Sequence, residues 1–183
     1  MTELLLIRHG ESEGNIGRSS DPDCSLSELG LEQAQKLAHR LSRYDLGDFV
    51  ALTSPYRRAV QTAEILSPAI GLPFVVEDSI REWGEVCTVN GTLYQKESTE
   101  ELILRLSKFL HHIHGKKLVV VSHASPIAIL SQLAWGEPPS TEGEFWSSIA
   151  HCCPRWLKAT REWNDSLSGE VPGMAENPDP RFL

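Results

Sequence analysis

Four short apolar runs in this 183-residue chain each lead into residues suited to handling an anion. Residues 4–7 run into Arg8, His9 and Gly10, and residues 49–53 into Ser54, Pro55, Arg57 and Arg58. Residues 74–76 are followed by Arg81, Glu82 and Glu85, and residues 118–121 by Ser122 and His123. A guanidinium offers a planar fork of donors that matches phosphoryl oxygens. An imidazole can attack phosphorus or donate a hydrogen bond, and a carboxylic acid can exchange a proton with a leaving oxygen. A single histidine or arginine at such a place is ordinary surface chemistry. Four run ends that all carry groups of phosphate chemistry form a coherent set.

The elements that must bring these groups together follow from hydrophobic periodicity. Apolar runs alternate with helical patterns, which predicts one α/β domain with a parallel sheet and crossover helices. Ser27 is placed to cap a helix carrying Ala34, Leu37, Ala38 and Leu41 on one face. A second helix from about Tyr56 carries Ala59, Ala63, Leu66 and Ile70, and Gly71 and Pro73 end it. After a loop rich in Gly and Thr, Ser98 opens a third helix with Leu102, Ile103, Leu106, Leu110 and Ile113, with Gly115 as its stop. Pro126 suits an early position in a fourth helix. Residues 156–163 read as an edge strand, and residues 166–183 as an irregular tail beyond a domain spanning 1–165. In open α/β sheets ligands bind beyond the carboxyl ends of the strands, so the four run ends should share one rim.

Composition narrows the function classes. A net charge of −8 disfavours a nonspecific nucleic-acid or anionic-membrane binder. The purely apolar runs are far too short to cross a bilayer, and Glu3 and Arg8 spoil the first residues as a signal peptide. The expectation is a soluble, cytoplasmic protein. Cys24, Cys87, Cys152 and Cys153 form no CxxC spacing and read as reduced thiols, with a vicinal redox pair at Cys152 and Cys153 as the weaker alternative. His111, His112 and His114 lack a carboxylate or cysteine at ligand spacing, so no metal site is assigned.

The stretch LLIRHGESEGN resembles the RHG signature of the histidine phosphatase superfamily, the phosphoglycerate mutase-like proteins. SLSELGLEQAQKLA, TSPYRRAVQTAEIL and LVVVSHASPIAIL resemble its first helix, second arginine motif and second histidine motif, in that order and over residues 4–133. The resemblance implies a three-layer α/β/α sandwich around a mostly parallel sheet. It implies that His9 is the nucleophile that becomes phosphohistidine, and that Arg8 and Arg58 hold the phosphoryl oxygens with His123 beside them. The arginine directly before the alanine is the one the motif uses, which selects Arg58 over Arg57. Asn15 aligns with a phosphate-contacting asparagine and Glu82 with the general acid. Two departures stand out: Ala124 follows His123 where the family usually has glycine, and HCCPRW replaces the small polar residues of the end strand. The alanine N–H can still serve phosphate unless the position needs a positive φ.

By the same resemblance the reaction is metal-free phosphomonoester hydrolysis with no cofactor. Asp78 and Glu85 are the alternative acids on the Glu82 loop, and Trp83 is a candidate wall for the leaving group. Mutases of the family carry a long basic insertion after the acid. Here 15 residues, 83–97, separate Glu82 from the next helix cap, with Lys96 the only base among them. A phosphatase is therefore preferred over a mutase. Small phosphomonoesters are the first substrate class, and phosphorylated protein, including phosphohistidine, the second. A non-catalytic phospho-ligand binder is the remaining alternative, although no reacting group is missing.

Overall fold

The computed structural model describes residues 1–84, 86–139 and 149–159. Strand β1 (Thr2–Arg8) is followed by helix α1 (Glu28–Leu41), strand β2 (Val50–Thr53), helix α2 (Arg57–Ile70) and strand β3 (Phe74–Val76). A 3₁₀ turn (Asp78–Ile80) leads to the short strands β4 (Cys87–Val89) and β5 (Thr92–Tyr94). Then come helix α3 (Thr99–His112), strand β6 (Lys117–Ser122), helix α4 (Ala124–Trp135) and strand β7 (Pro154–Ala159). The main sheet has the order β3-β2-β6-β1-β7, parallel throughout except for β7, which runs antiparallel to β1 at the edge.

The apolar runs are continuous because both faces of the sheet are covered. Leu5, Ile7, Val119 and Val121 point into one core with α1 and α2, whereas Leu4, Leu6, Leu118 and Val120 point into the other with α3 and α4. Three layers result, as expected. The Ser27 hydroxyl caps α1 by accepting from the Gly30 N–H, and Ser98 caps α3 in a reciprocal pair with Glu101. Helix α3 ends at His112, and Gly115 turns the chain two residues past the C-cap Ile113, at φ 76°.

Two elements differ from the sequence reading. The Gly- and Thr-rich loop contains the β4–β5 hairpin, turned by Asn90 and Gly91, both at positive φ. That is the geometry of a type I′ turn, for which Asn-Gly is the preferred pair. Strand β7 begins at Pro154 rather than Trp156. Residues 160–163 of the expected strand, the tail at 166–183 and Glu85 lie outside the described residues. No helix among the described residues is long and apolar enough to cross a membrane.

Candidate active site

Neighbouring parallel strands bring distant residues side by side. Arg8 pairs in register with Ser122, the His9 N–H donates to the Ser122 carbonyl at 3.0 Å, and the Ser54 N–H donates to the Val121 carbonyl at 2.9 Å. His9, Ser54 and His123 therefore emerge together at the carboxyl ends of β1, β2 and β6. His123 is the N-cap of α4, and Ala124 opens that helix without a positive φ, so alanine is no strain there. Arg8, His9, Asn15, Arg58 and Glu82 share a cavity of about 290 Å³ with residues of the loop 12–24.

Hydrogen bonds set the tautomer of His9. His9 Nδ1 lies 2.6 Å from the Gly10 carbonyl, which can only accept, so Nδ1 carries the proton and Nε2 keeps its lone pair. Arg58 Nε donates to that lone pair at 3.1 Å, and Arg58 Nη1 donates to the Pro22 carbonyl at 2.6 Å. The Ser54 hydroxyl accepts from the Tyr56 N–H and lies 2.7 Å from His123 Nε2, a contact in which either group can donate. His123 Nδ1 is a buried nitrogen without a hydrogen-bond partner among the described residues, 3.7 Å from Glu82 Oε2. The two rings meet edge to face, with centroids 5.0 Å apart.

Donors outnumber acceptors here. Arg8 gives Nη1 to the Ile149 carbonyl at 2.7 Å, but its buried Nε has no partner among the described residues. Burial, with Arg58 second, holds both His9 and His123 well below the usual imidazole range. Burial also raises the Glu82 carboxyl, against Arg58 and the hydrogen bonds from the Trp83 N–H and the Ser125 side chain. The site thus favours neutral imidazoles and a carboxyl disposed to hold a proton. Guanidiniums and the first turn of a helix are donors suited to an anion.

Local rules are broken where this site is built. Helix α2 starts with Arg57 and Arg58 and has no side-chain N-cap, although cations at a helix N-terminus oppose its dipole. Asp23 compensates by accepting from the Arg57 N–H at 2.7 Å. Arg57 itself is exposed, whereas Arg58 is buried against His9, which agrees with the choice made from the motif. Gly10 is required by close approach rather than by its own φ: a Cβ there would stand 2.5 Å from the Gly30 carbonyl oxygen. Gly30 is tighter still, with a Cβ position 1.9 Å from the Glu11 carbonyl oxygen.

Two sequence expectations are corrected. Asp78 is an alternative acid no longer, because it is exposed, paired with Arg81 at 3.2 Å and hydrogen-bonded by the Tyr94 hydroxyl. Trp83 is absent from the cavity lining; it packs on the α3–α4 core and donates its indole N–H to the Glu97 carbonyl at 2.8 Å. One residue was missed. His151, in the divergent HCCPRW segment, stands with its ring centroid 5.6 Å from that of His9 and its Nε2 3.1 Å from Asn15 Oδ1. Burial and Arg8 push its pKa down to about 4. Its signal was the histidine standing where small polar residues are usual.

The fold and the site together define an α/β protein in which His9, Arg8 and Arg58 line a cavity at the parallel-strand ends, with His123 buried beside them. The model of the histidine phosphatase superfamily, branch 1, matches residues 4–100, and the chain belongs to that family. It is 29% identical to the uncharacterized phosphatase PhoE of Bacillus subtilis, over 93% of this chain and all of that one. It is 27% identical to the probable phosphoglycerate mutase GpmB of Proteus mirabilis, over 74% of this chain and 72% of that one. The structure of a putative α-ribazole-5′-P phosphatase from Escherichia coli shares the fold at a TM-score of 0.67 and 18% identity, covering 96% of this chain and 98% of that one.

Proposed function

We propose that this protein is a metal-independent phosphomonoester hydrolase that works through phosphohistidine on His9. The observation that carries the reading is the lone pair of His9 Nε2, freed by the Gly10 carbonyl at 2.6 Å and set among donors that lack acceptors. Phosphoryl transfer asks mainly for positioning and for positive groups around the equatorial oxygens. Arg8, Arg58, Asn15, His123 and the Ala124 N–H supply them. When a dianion enters, Arg58 Nε shifts its hydrogen bond from His9 to a phosphoryl oxygen, which releases the nucleophile. The dianion also favours a second proton on His123.

Glu82 protonates the leaving oxygen as His9 attacks, and the resulting carboxylate then takes a proton from the water that cleaves phosphohistidine. A raised carboxyl suits the first half of that cycle. The Glu82 side chain keeps 24% of its surface exposed, so water reaches it. No basic side chain of residues 83–97 lines the cavity, which favours hydrolysis over retention of a second phosphate for return transfer. Small phosphomonoesters are the substrate class, handled by a domain spanning residues 1–165 in a protein that works in the cytoplasm.

The test is turnover of p-nitrophenyl phosphate with chelator present, for wild type, His9→Ala and Glu82→Gln. Turnover that survives chelator, is lost in His9→Ala and leaves alkali-stable, acid-labile phosphoprotein in wild type after an alkaline denaturing quench is expected. Turnover abolished by chelator overturns the reading. Mutase relatives give one competing outcome: phosphoryl exchange between phosphoglycerates, primed by the bisphosphate and faster than hydrolysis.

A further inference from the structure

The segment that presents Glu82 is held by a frame outside the cavity. Glu97 is a buried carboxylate that grips Arg105 in a two-point fork, Oε1 to Nε at 2.7 Å and Oε2 to Nη2 at 2.5 Å. The same Oε1 accepts from Arg81 Nη2 at 3.3 Å. Arg105 Nη1 then donates to the Ser79 carbonyl at 2.7 Å and the Arg81 carbonyl at 3.3 Å. The Glu97 backbone ties two more residues, accepting from the Trp83 indole at 2.8 Å and donating to the Gly84 carbonyl at 3.3 Å. Ile80 is fixed from the sheet, where the Ser122 hydroxyl donates to its carbonyl at 2.7 Å. Every residue from 79 to 84 except Glu82 is thus bonded to α3, its N-terminal approach or β6. Glu82 alone points its carboxylate toward His123.

We propose that Glu97 and Arg105 are positioning residues that hold Glu82 in register with the leaving oxygen. The inference rests on the reading of Glu82 as the general acid. An ion pair this well buried is weak evidence of stabilisation for its own sake, because desolvation offsets its attraction. What it does supply is geometry: a bidentate guanidinium–carboxylate fork fixes both partners in a plane. Misplacing a reacting group by about 1 Å can reduce rate about 10²-fold.

The experiment compares kcat/KM for p-nitrophenyl phosphate with kcat/KM for β-glycerol phosphate. The nitrophenolate leaves with little help, whereas the alkoxide needs a proton, so the aryl-to-alkyl ratio reports the acid and is insensitive to the amount of folded enzyme. Glu82→Gln sets the scale. Glu97→Gln and Arg105→Lys should raise the ratio about tenfold or more, and Trp83→Phe, which removes only the indole donor, should raise it less. Arg105→Lys serves if Glu97→Gln does not fold, since it keeps the charge and loses only the fork. Folded variants with the wild-type ratio, beside a Glu82→Gln that raises it, overturn the positioning role and leave the acid intact. A Glu82→Gln ratio equal to wild type overturns the acid reading itself.

Discussion

The floor of the cavity and its rim are held by different means. On the floor, His9, Ser54 and His123 sit where three hydrogen-bonded parallel strands end, and their hydrogen-bond partners are backbone groups or buried side chains. At the rim, Asn15 is exposed, and its placement relies on side chains. The Ser12 N–H and hydroxyl donate to its Oδ1, as does His151 Nε2 from another part of the chain. Since a backbone N–H can only donate, Oδ1 is fixed as the inward-bonded atom and the amide NH₂ is left for a ligand. Strand register makes the floor rigid without specifying a substrate; the rim can vary without disturbing the nucleophile. Attack at phosphorus therefore belongs to the floor and discrimination to the rim.

The largest expected effect falls on the floor. His9→Ala should lower kcat/KM by about 10³-fold or more and abolish phosphoenzyme, because His9 is the only imidazole among the described residues that line the cavity. Arg58→Ala, measured in the same assay, should lower it about 10²-fold, a typical loss for one preorganised donor. Between floor and rim, Gly30→Ala forces a Cβ into the Glu11 carbonyl and should destabilise by about 1–3 kcal/mol in urea unfolding. At the rim, His151→Ala should raise KM about three- to tenfold with kcat nearly unchanged, and His151→Gln, which keeps an N–H donor, should recover most of it. A loss of kcat instead would move His151 to the floor.

The smallest effect is on stability against pH. His9 and His123 have depressed pKa values in the folded state, so the unfolded chain binds more protons as pH falls through about 6.5. Their contribution is complete above that pH and is lost progressively below it. Glu82, raised in the folded state, contributes with the opposite sign and loses its part as pH rises above the ordinary carboxyl range. Melting temperature should therefore drop between pH 8 and pH 5. Inorganic phosphate should reduce the drop, since the dianion favours protonated imidazole. An equal drop with and without phosphate would separate anion binding from His123.

Much of this was legible before any coordinates. The caps at Ser27 and Ser98 and the apolar runs buried on both faces follow from local chemistry and spacing, whereas the choice of Arg58 over Arg57 comes from the resemblance to the family motif. The β4–β5 hairpin is also legible, since Asn90–Gly91 between Thr88–Val89 and Thr92–Leu93 is a two-residue turn signal. The indole bond of Trp83 and the Tyr94 hydrogen bond to Asp78 are not, because their partners lie 14 and 16 residues away and no periodicity links them. His151 is the extreme case, 136 residues from Asn15.

The sequence by itself determined which groups this protein owns and at which strand ends they stand, because strand and helix periods and caps are properties of a few adjacent residues. It also determined the family, through four motifs in order. Only the tertiary structure decided the tautomer of His9, the aim of Asn15 and the frame behind Glu82. Each of those depends on a donor or acceptor contributed by a distant segment, and on burial that makes a single hydrogen bond decisive.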